Sequence, residues 1–226
     1  MAPSAALQRD CFIFDLDGTL LDTLPDLVIL TNVVLREFGM PERTTEQVLS
    51  YVGNGAQALM YQAVPSRTAR SLADEALARW KQLYPELGHA GTKPYEGIPQ
   101  VLDQLRAQGV ALGVLSNKFD AATREVIEHH FPGVFDVVHG EAEGFPRKPD
   151  PQGMLRTIAE LGSVPGRTVY VGDSPGDMQA AYNAGTLAVA VDWGYRSVED
   201  IQQVGCDALI GNPADLLGFV HAQGGS

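Results

Sequence analysis

The chain has 226 residues, 45% of them hydrophobic and 19% charged, a balance that argues against disorder and suits one large domain or a core with a smaller module. Lys and Arg number 16 against 28 Asp and Glu, a net charge of -12. Such a surface excludes nucleic acid and anionic lipid as partners, and it opposes an anionic substrate unless a cation and local lysines reverse the sign at one site.

The opening "MAPSAALQRD" has no basic head followed by an apolar run, and no stretch approaches the length of a membrane span. Neither a signal peptide nor a membrane helix is expected, and the protein reads as cytoplasmic. The first element is the apolar run Cys11–Phe14, a strand that ends in Asp15-Leu16-Asp17-Gly18-Thr19. Carboxylates beside buried apolar residues cost folding energy unless a cation, hydrogen bonds or a reaction compensates them. An acidic turn containing glycine is the plainer alternative at this point. Cys11 and Cys206 lie far apart, so two buried thiols in a reducing compartment are expected rather than a disulfide framework.

Residues 24–93 carry helical spacing in "LPDLVILTNVVLREF", "TEQVLSYV", "NGAQALMYQAV" and "RSLADEALARWKQLYPEL", with no convincing strand. This predicts an all-helical module inserted after the first strand, with crossings at 20–24 and 92–97 that could act as hinges. Strand-length apolar runs follow at 110–115, 134–138, 168–171 and Leu187–Val191, interleaved with helical patterns at 99–108, 121–129, 152–161 and 177–184. Non-alternating runs separated by helices indicate a parallel sheet covered on both faces. Gly109, Gly162 and Gly185 stand just past three of those helices, as left-handed caps. His129 and His130 close another, where a cation suits the helix dipole. None of the five histidines shows i, i+4 pairing and there is no CxxC, so zinc is not expected. The terminal "AQGGS" reads as frayed.

Polar clusters gather at the ends of these strands. Besides Asp15 to Thr19 there are Ser116-Asn117-Lys118, Gly172-Asp173-Ser174-Pro175-Gly176-Asp177, and Arg147-Lys148-Pro149-Asp150-Pro151 at a helix start. In an open parallel sheet the carboxyl ends of strands form the ligand crevice, so four clusters converge on one place. Asp177, three residues after Ser174, also has the position of an acidic N3 capping residue.

The segments "DLDGTLLD", "SNK", "RKPDP" and "GDSPGD", in this order, resemble the four motifs of the haloacid dehalogenase superfamily of phosphatases, and they span nearly the whole chain. The helical insert resembles that superfamily's cap. "DGTLLDTLPDL", "YVGNGAQALM" and "DWGYRS" are similar to phosphoglycolate phosphatases. The resemblance implies an α/β fold, a doubly wound Rossmann-like parallel sheet core (1–20 and 95–226) with an inserted helical cap domain (21–94).

A phosphate ester resists an anionic nucleophile, so a site for its hydrolysis must neutralise charge and fix the line of attack. Asp15 is the expected nucleophile, forming an aspartyl-phosphate. Asp17 is the expected acid and base, on the same side of an extended strand. Gly18 permits the turn, and Thr19 hydrogen-bonds and fixes the loop. Mg²⁺ suits an all-oxygen site. The resemblance implies that Asp15 and Asp173 supply side-chain oxygens to it and Asp17 its backbone carbonyl. Ser116, the Asn117 amide and Lys148 would hold the phosphoryl oxygens, with Thr19 counted among the substrate-binding residues. Asp177 would order Lys148 or a metal-bound water, and Lys118 is either a substrate contact or a solvated loop residue. The amides of Gly53, Asn54 and Gly55 open a helix that could receive an anion on the leaving group. The expected activity is hydrolysis of a small phosphorylated metabolite, 2-phosphoglycolate first, by a monomer or homodimer. The alternatives are a sugar-phosphate phosphatase, a pyrophosphatase, a β-phosphoglucomutase, or a phosphate-sensing protein without turnover; a dehalogenase would have no clear use for Asp17.

Overall fold

The computed structural model describes residues 9–220. In chain order, β1 (Cys11–Phe14) is followed by the short β2 (Leu21–Asp22) and by four helices, α1 (Leu24–Glu37), α2 (Thr45–Tyr51), α3 (Gly55–Ala63) and α4 (Arg70–Leu87). After β3 (Lys93–Pro94) come α5 (Ile98–Ala107), β4 (Ala111–Phe119), α6 (Asp120–His130), β5 (Val137–Glu141) and α7 (Pro151–Glu160). The chain closes through β6 (Thr168–Gly172), α8 (Pro175–Ala184), β7 (Leu187–Val191), α9 (Val198–Val204), β8 (Ala208–Ile210) and a 3-10 helix over Pro213–Phe219.

Six strands form one sheet in the order β5-β4-β1-β6-β7-β8, every neighbouring pair parallel. β1 lies at its centre, with Cys11 opposite both Ala111 and Thr168. Side chains alternate across a strand, and β1 shows what that does here. Phe12 and Phe14 enter a cluster with Val101, Leu105 and Val126 on one face. Cys11 and Ile13 enter another with Met154, Ile158 and Met178 on the other. Helices therefore cover both sides, and the run reads as continuously apolar because neither face meets water.

The four inserted helices bury a cluster of their own, including Leu30, Val34, Met60, Trp80 and Tyr84, with Ala122 of α6 joining it. Each such side chain taken from water is worth about 1.5–3 kcal/mol. The buried indole of Trp80 is satisfied by Thr31 at 3.2 Å. Thr44 and Gln47 form a capping box that starts α2.

Several expectations need correcting. The crossings pair with each other as a small antiparallel ribbon, Leu21 opposite Pro94 and Asp22 opposite Lys93. β4 runs on to Phe119, with a register shift between Leu115 and Phe119 that breaks the apolar pattern seen in sequence. β5 starts only at Val137, because Val134 turns back to Phe131 and the Asp136 carboxylate accepts from Leu112. α9, β8 and the final 3-10 helix were not expected; β8 has three residues, too few for periodicity to register. Cys11 is buried and Cys206 only partly so, both unpaired. His130 ends α6 as expected, but burial, with His129 and His89 nearby, lowers its pKa rather than favouring a cation. Gly109, Gly162 and Gly185 all have positive φ, as anticipated. The opening residues 1–8 and "AQGGS" lie outside the described residues. Among the described residues no helix is long and apolar enough to cross a membrane.

Candidate active site

The site forms where β1, β4 and β6 end side by side. β1 continues its pairing one residue further, the Asp15 amide donating to Val171 at 2.9 Å. The chain then turns tightly, with the Leu16 carbonyl accepting from Leu20 and Leu21 at 3.1 Å. Gly18 makes this turn at φ +87, and a Cβ there would stand 2.4 Å from Asp173 Oδ2. No other residue fits both the angle and the space.

After β6, Ser174 and Asp177 cap α8 reciprocally. This turns Asp177 Oδ1 toward Lys148 Nζ at 2.7 Å and the Tyr170 hydroxyl at 3.1 Å. Lys148 also donates to that hydroxyl at 2.8 Å. Its distance to Asp15 Oδ1 is likewise 2.8 Å, an ion pair without a well-aligned hydrogen bond among the described residues. Asp173 accepts from Thr19 Oγ1 at 3.1 Å and from the Tyr195 amide at 2.8 Å.

Burial pushes the Asp15 pKa up to about 8; Lys148 opposes the shift, and Asp177 and Asp173 add to it. Asp173 rises to about 7, chiefly by burial and then by the charge of Asp177. Burial works against the charge on Lys148, but Asp15 and Asp177 more than offset it and the pKa rises. Carboxylate oxygens of Asp15, Asp173 and Asp177 lie within 4.8 Å of one another. Three crowded carboxylates with one buried oxygen lacking a hydrogen bond form an all-oxygen donor set that fits a hard divalent cation.

Asp17 points elsewhere. Its carboxylate accepts from Thr23 Oγ1 at 2.6 Å and from Lys118 Nζ at 3.0 and 3.3 Å. Lys118 is therefore not a solvated loop residue: its side chain is 4% exposed. Burial opposes its charge, and Asp17 raises its pKa in spite of that. Ser116 is buried and its hydroxyl accepts from the Lys118 amide at 3.2 Å. Asn117 stitches the parts together, donating to the carbonyls of Gly53 at 3.0 Å and Lys148 at 3.2 Å, and accepting from the Lys148 amide at 2.9 Å.

At the start of α3, Asn54 offers no side-chain cap, while Arg147 donates to its carbonyl at 2.5 Å. Gly55 has φ +82, and a Cβ would stand 2.6 Å from Glu141 Oε2. Two adjoining hollows meet over Asp15 and Asp17. One is polar, with Lys148, Asp173, Asp177, Asn54 and Arg196. The other is mainly apolar, with Leu27, Leu59, Trp80 and Phe119, and it reaches Lys118, Gly53 and Gly55.

The structure thus brings together Asp15, Asp17, Asp173, Asp177, Ser116, Asn117, Lys118, Lys148 and the start of α3. Thr19 stands apart: it is fully buried and engaged with Asp173, which matches its loop-fixing part rather than a substrate contact. Tyr195 and Arg196 were given no role by the sequence reading. The Tyr195 hydroxyl accepts from the amides of Thr23 at 2.7 Å and Leu24 at 2.9 Å, and Arg196 donates to the Val52 carbonyl at 2.5 Å. Both follow the carboxyl end of β7, so the strand-end rule would have found them.

The model of the haloacid dehalogenase-like hydrolase family matches residues 12–191. The chain belongs to this family. It is 31% identical to a phosphoglycolate phosphatase of Aquifex aeolicus over 206 residues, 91% of this chain and 93% of that one. To a phosphoglycolate phosphatase of Pseudomonas putida it is 36% identical over 192 residues, 81% of this chain and 70% of the relative. A crystal structure of a "predicted phosphoglycolate phosphatase" from Haemophilus somnus superimposes with a TM-score of 0.89 at 27% identity, covering 95% of this chain and 99% of that one. In this family member all four polar clusters meet at the carboxyl ends of the central strands.

Proposed function

We propose that the protein is a Mg²⁺-dependent phosphomonoester hydrolase that works through an aspartyl-phosphate, with 2-phosphoglycolate as substrate. The observation that carries the reading is Asp15, a largely buried carboxylate ion-paired with Lys148 and gathered with Asp173 and Asp177 into one cluster of carboxylate oxygens. Residues 21–94 act as the cap over a core of 1–20 and 95–226.

The side chains of Asp15 and Asp173 and the carbonyl of Asp17 would hold a divalent cation, which would supply neutralisation of phosphoryl charge. Asp15 attacks phosphorus, forming an O–P bond as the ester O–P bond breaks. The electron pair of that bond goes to the leaving oxygen, which takes the proton of Asp17. Asp17 then removes a proton from water, whose oxygen bonds to phosphorus while the acyl-phosphate O–P bond breaks and restores the Asp15 carboxylate. The sum is ester plus water giving alcohol plus phosphate. Ser116, the Asn117 amide and Lys148 hold the phosphoryl oxygens through both steps, and Asp177 keeps Lys148 in place. The substrate assignment is supported by the relatives' activity and by the uncapped start of α3 facing the same space.

The test is phosphate release in Mg²⁺ from 2-phosphoglycolate, glucose 1-phosphate, glucose 6-phosphate and pyrophosphate. The highest kcat/KM is expected for 2-phosphoglycolate, with loss of turnover in excess chelator and in Asp15→Asn. Turnover of Asp15→Asn within tenfold of wild type would remove Asp15 from its role. A hexose phosphate hydrolysed more efficiently would replace the substrate but keep the chemistry.

A further inference from the structure

Lys118 is a buried lysine with a thin supply of partners. Its ammonium stands 5.0 Å from the centre of the Tyr84 ring, and among the described residues Asp17 is the carboxylate that compensates it. Asp17 also accepts from Thr23. To deliver a proton to the leaving oxygen, Asp17 has to take one up from solvent, losing its charge, and present its carboxyl to the ester instead of to these two donors. This step rests on the function proposed above.

The two donors it leaves are not equally placed. Thr23 Oγ1 keeps the Tyr195 hydroxyl at 3.2 Å. Among the described residues Lys118 has no second ion-paired carboxylate: apart from Asp15 and Asp17, the hollow it lines is walled largely by apolar side chains, Leu27, Leu59, Trp80 and Phe119 among them. A buried ammonium stripped of its counter-charge is strongly unfavourable. An anion arriving as Asp17 turns would restore the balance, and this hollow opens directly over Asp15 and Asp17, where the ester would react. Among the described residues Lys118 is also the one cationic side chain lining it. An ammonium has three donors, so it can engage an incoming carboxylate before it releases Asp17.

We infer that Lys118 determines specificity by binding an anion on the leaving group, which takes over the charge of Asp17 when that residue turns to the ester. Esters whose alcohol carries a second anion are turned over in preference to neutral ones of the same shape. The start of α3 at Gly53 and Gly55, on the border of the same hollow, adds partial positive charge for that anion.

The experiment compares two isosteric esters in Mg²⁺, 2-phosphoglycolate and the phosphate ester of glycolamide, in which an amide replaces the carboxylate. For wild type, kcat/KM should favour the carboxylate ester by on the order of a hundredfold, as for the loss of one hydrogen bond between charged groups. In Lys118→Met the preference should fall below about fivefold, through loss on the carboxylate ester in both KM and kcat, and Lys118→Arg should retain at least about tenfold. Equal losses on both esters in Lys118→Met would overturn the inference, since Lys118 would then only position Asp17. If Lys118→Met does not fold, the wild-type ratio decides: a value near one overturns the inference while leaving the phosphatase reading intact. Failure of wild type to hydrolyse either ester would overturn the inference and the 2-phosphoglycolate assignment together.

Discussion

At the scale of single residues, the site is a problem of crowded charge. Asp15 and Asp173 are pushed up to about 8 and about 7 by burial and by their neighbours. Near neutral pH the metal-free cluster therefore retains protons that an ordinary carboxylate has lost. A divalent cation competes with those protons. Its apparent affinity should rise with pH between about 6 and 8 and level off above that range. Isothermal calorimetry at pH 7 in two buffers of different ionisation enthalpy should show proton release on binding Mg²⁺. The sign for folding follows from the same shifts. Folded pKa values above the unfolded carboxylate value mean stability that is fully present below about pH 4 and lost progressively until pH passes the folded values of about 7 and about 8. The metal-free protein should thus weaken toward alkaline pH, and Mg²⁺ should restore it. An affinity for Mg²⁺ that does not change from pH 6 to 8 would contradict this account.

At the scale of elements, the junction between the inserted helices and the sheet is held by a short list of polar contacts. Asp26, in the first turn of α1 and 1% exposed, accepts from the Gly91 amide at 2.8 Å and from the Thr92 amide and hydroxyl at 2.6 Å. One buried carboxylate at the start of α1 thereby pins the second crossing beside the first, next to the β2–β3 ribbon. Asp26→Ala leaves buried donors without partners and should destabilise the protein by about 2–4 kcal/mol. It should also raise proteolytic cleavage around residues 88–97, where the crossing would loosen. Denaturant unfolding and limited proteolysis measure both. Asp26→Asn, which preserves acceptance by one oxygen, should lose less. A stability change under about 0.5 kcal/mol for Asp26→Ala would mean that the ribbon alone holds the junction.

At the scale of the whole molecule, the proposed cation site joins distant parts of the chain. Asp15 and Asp173 belong to segments brought together only by folding, so the unfolded chain offers no comparable site. Binding should stabilise the native state by RT ln(1 + [L]/Kd), about 2.7 kcal/mol at a hundredfold excess over Kd. For a chain of this size that corresponds to a rise in Tm of roughly 5–10 °C. Asp173→Ala should lose most of the rise, which differential scanning calorimetry with and without Mg²⁺ would reveal. An equal rise in wild type and Asp173→Ala would move the cation elsewhere on this acidic surface.

The sequence by itself determined what depends on near neighbours in the chain. The runs Cys11–Phe14 and Leu187–Val191 are apolar over their whole length, and both were legible as strands with the boundaries found. The four inserted helices declared themselves by periodicity, and the Ser174–Asp177 cap by spacing. The loop from Asp15 to Thr19 was readable because its turn, its glycine and its two carboxylates fall within five residues. Tertiary structure decided which partner each charged group has. Asp17 meets Lys118 across 101 positions, and Tyr195 closes on Thr23 across 172. Asp177 joins Asp15 and Asp173 instead of serving only as a cap. These pairings follow from the strand order β4-β1-β6-β7, which sets strand ends side by side regardless of their separation in sequence. Local pattern can say that a carboxylate stands at the end of a strand; only the order of the sheet says which cation stands beside it.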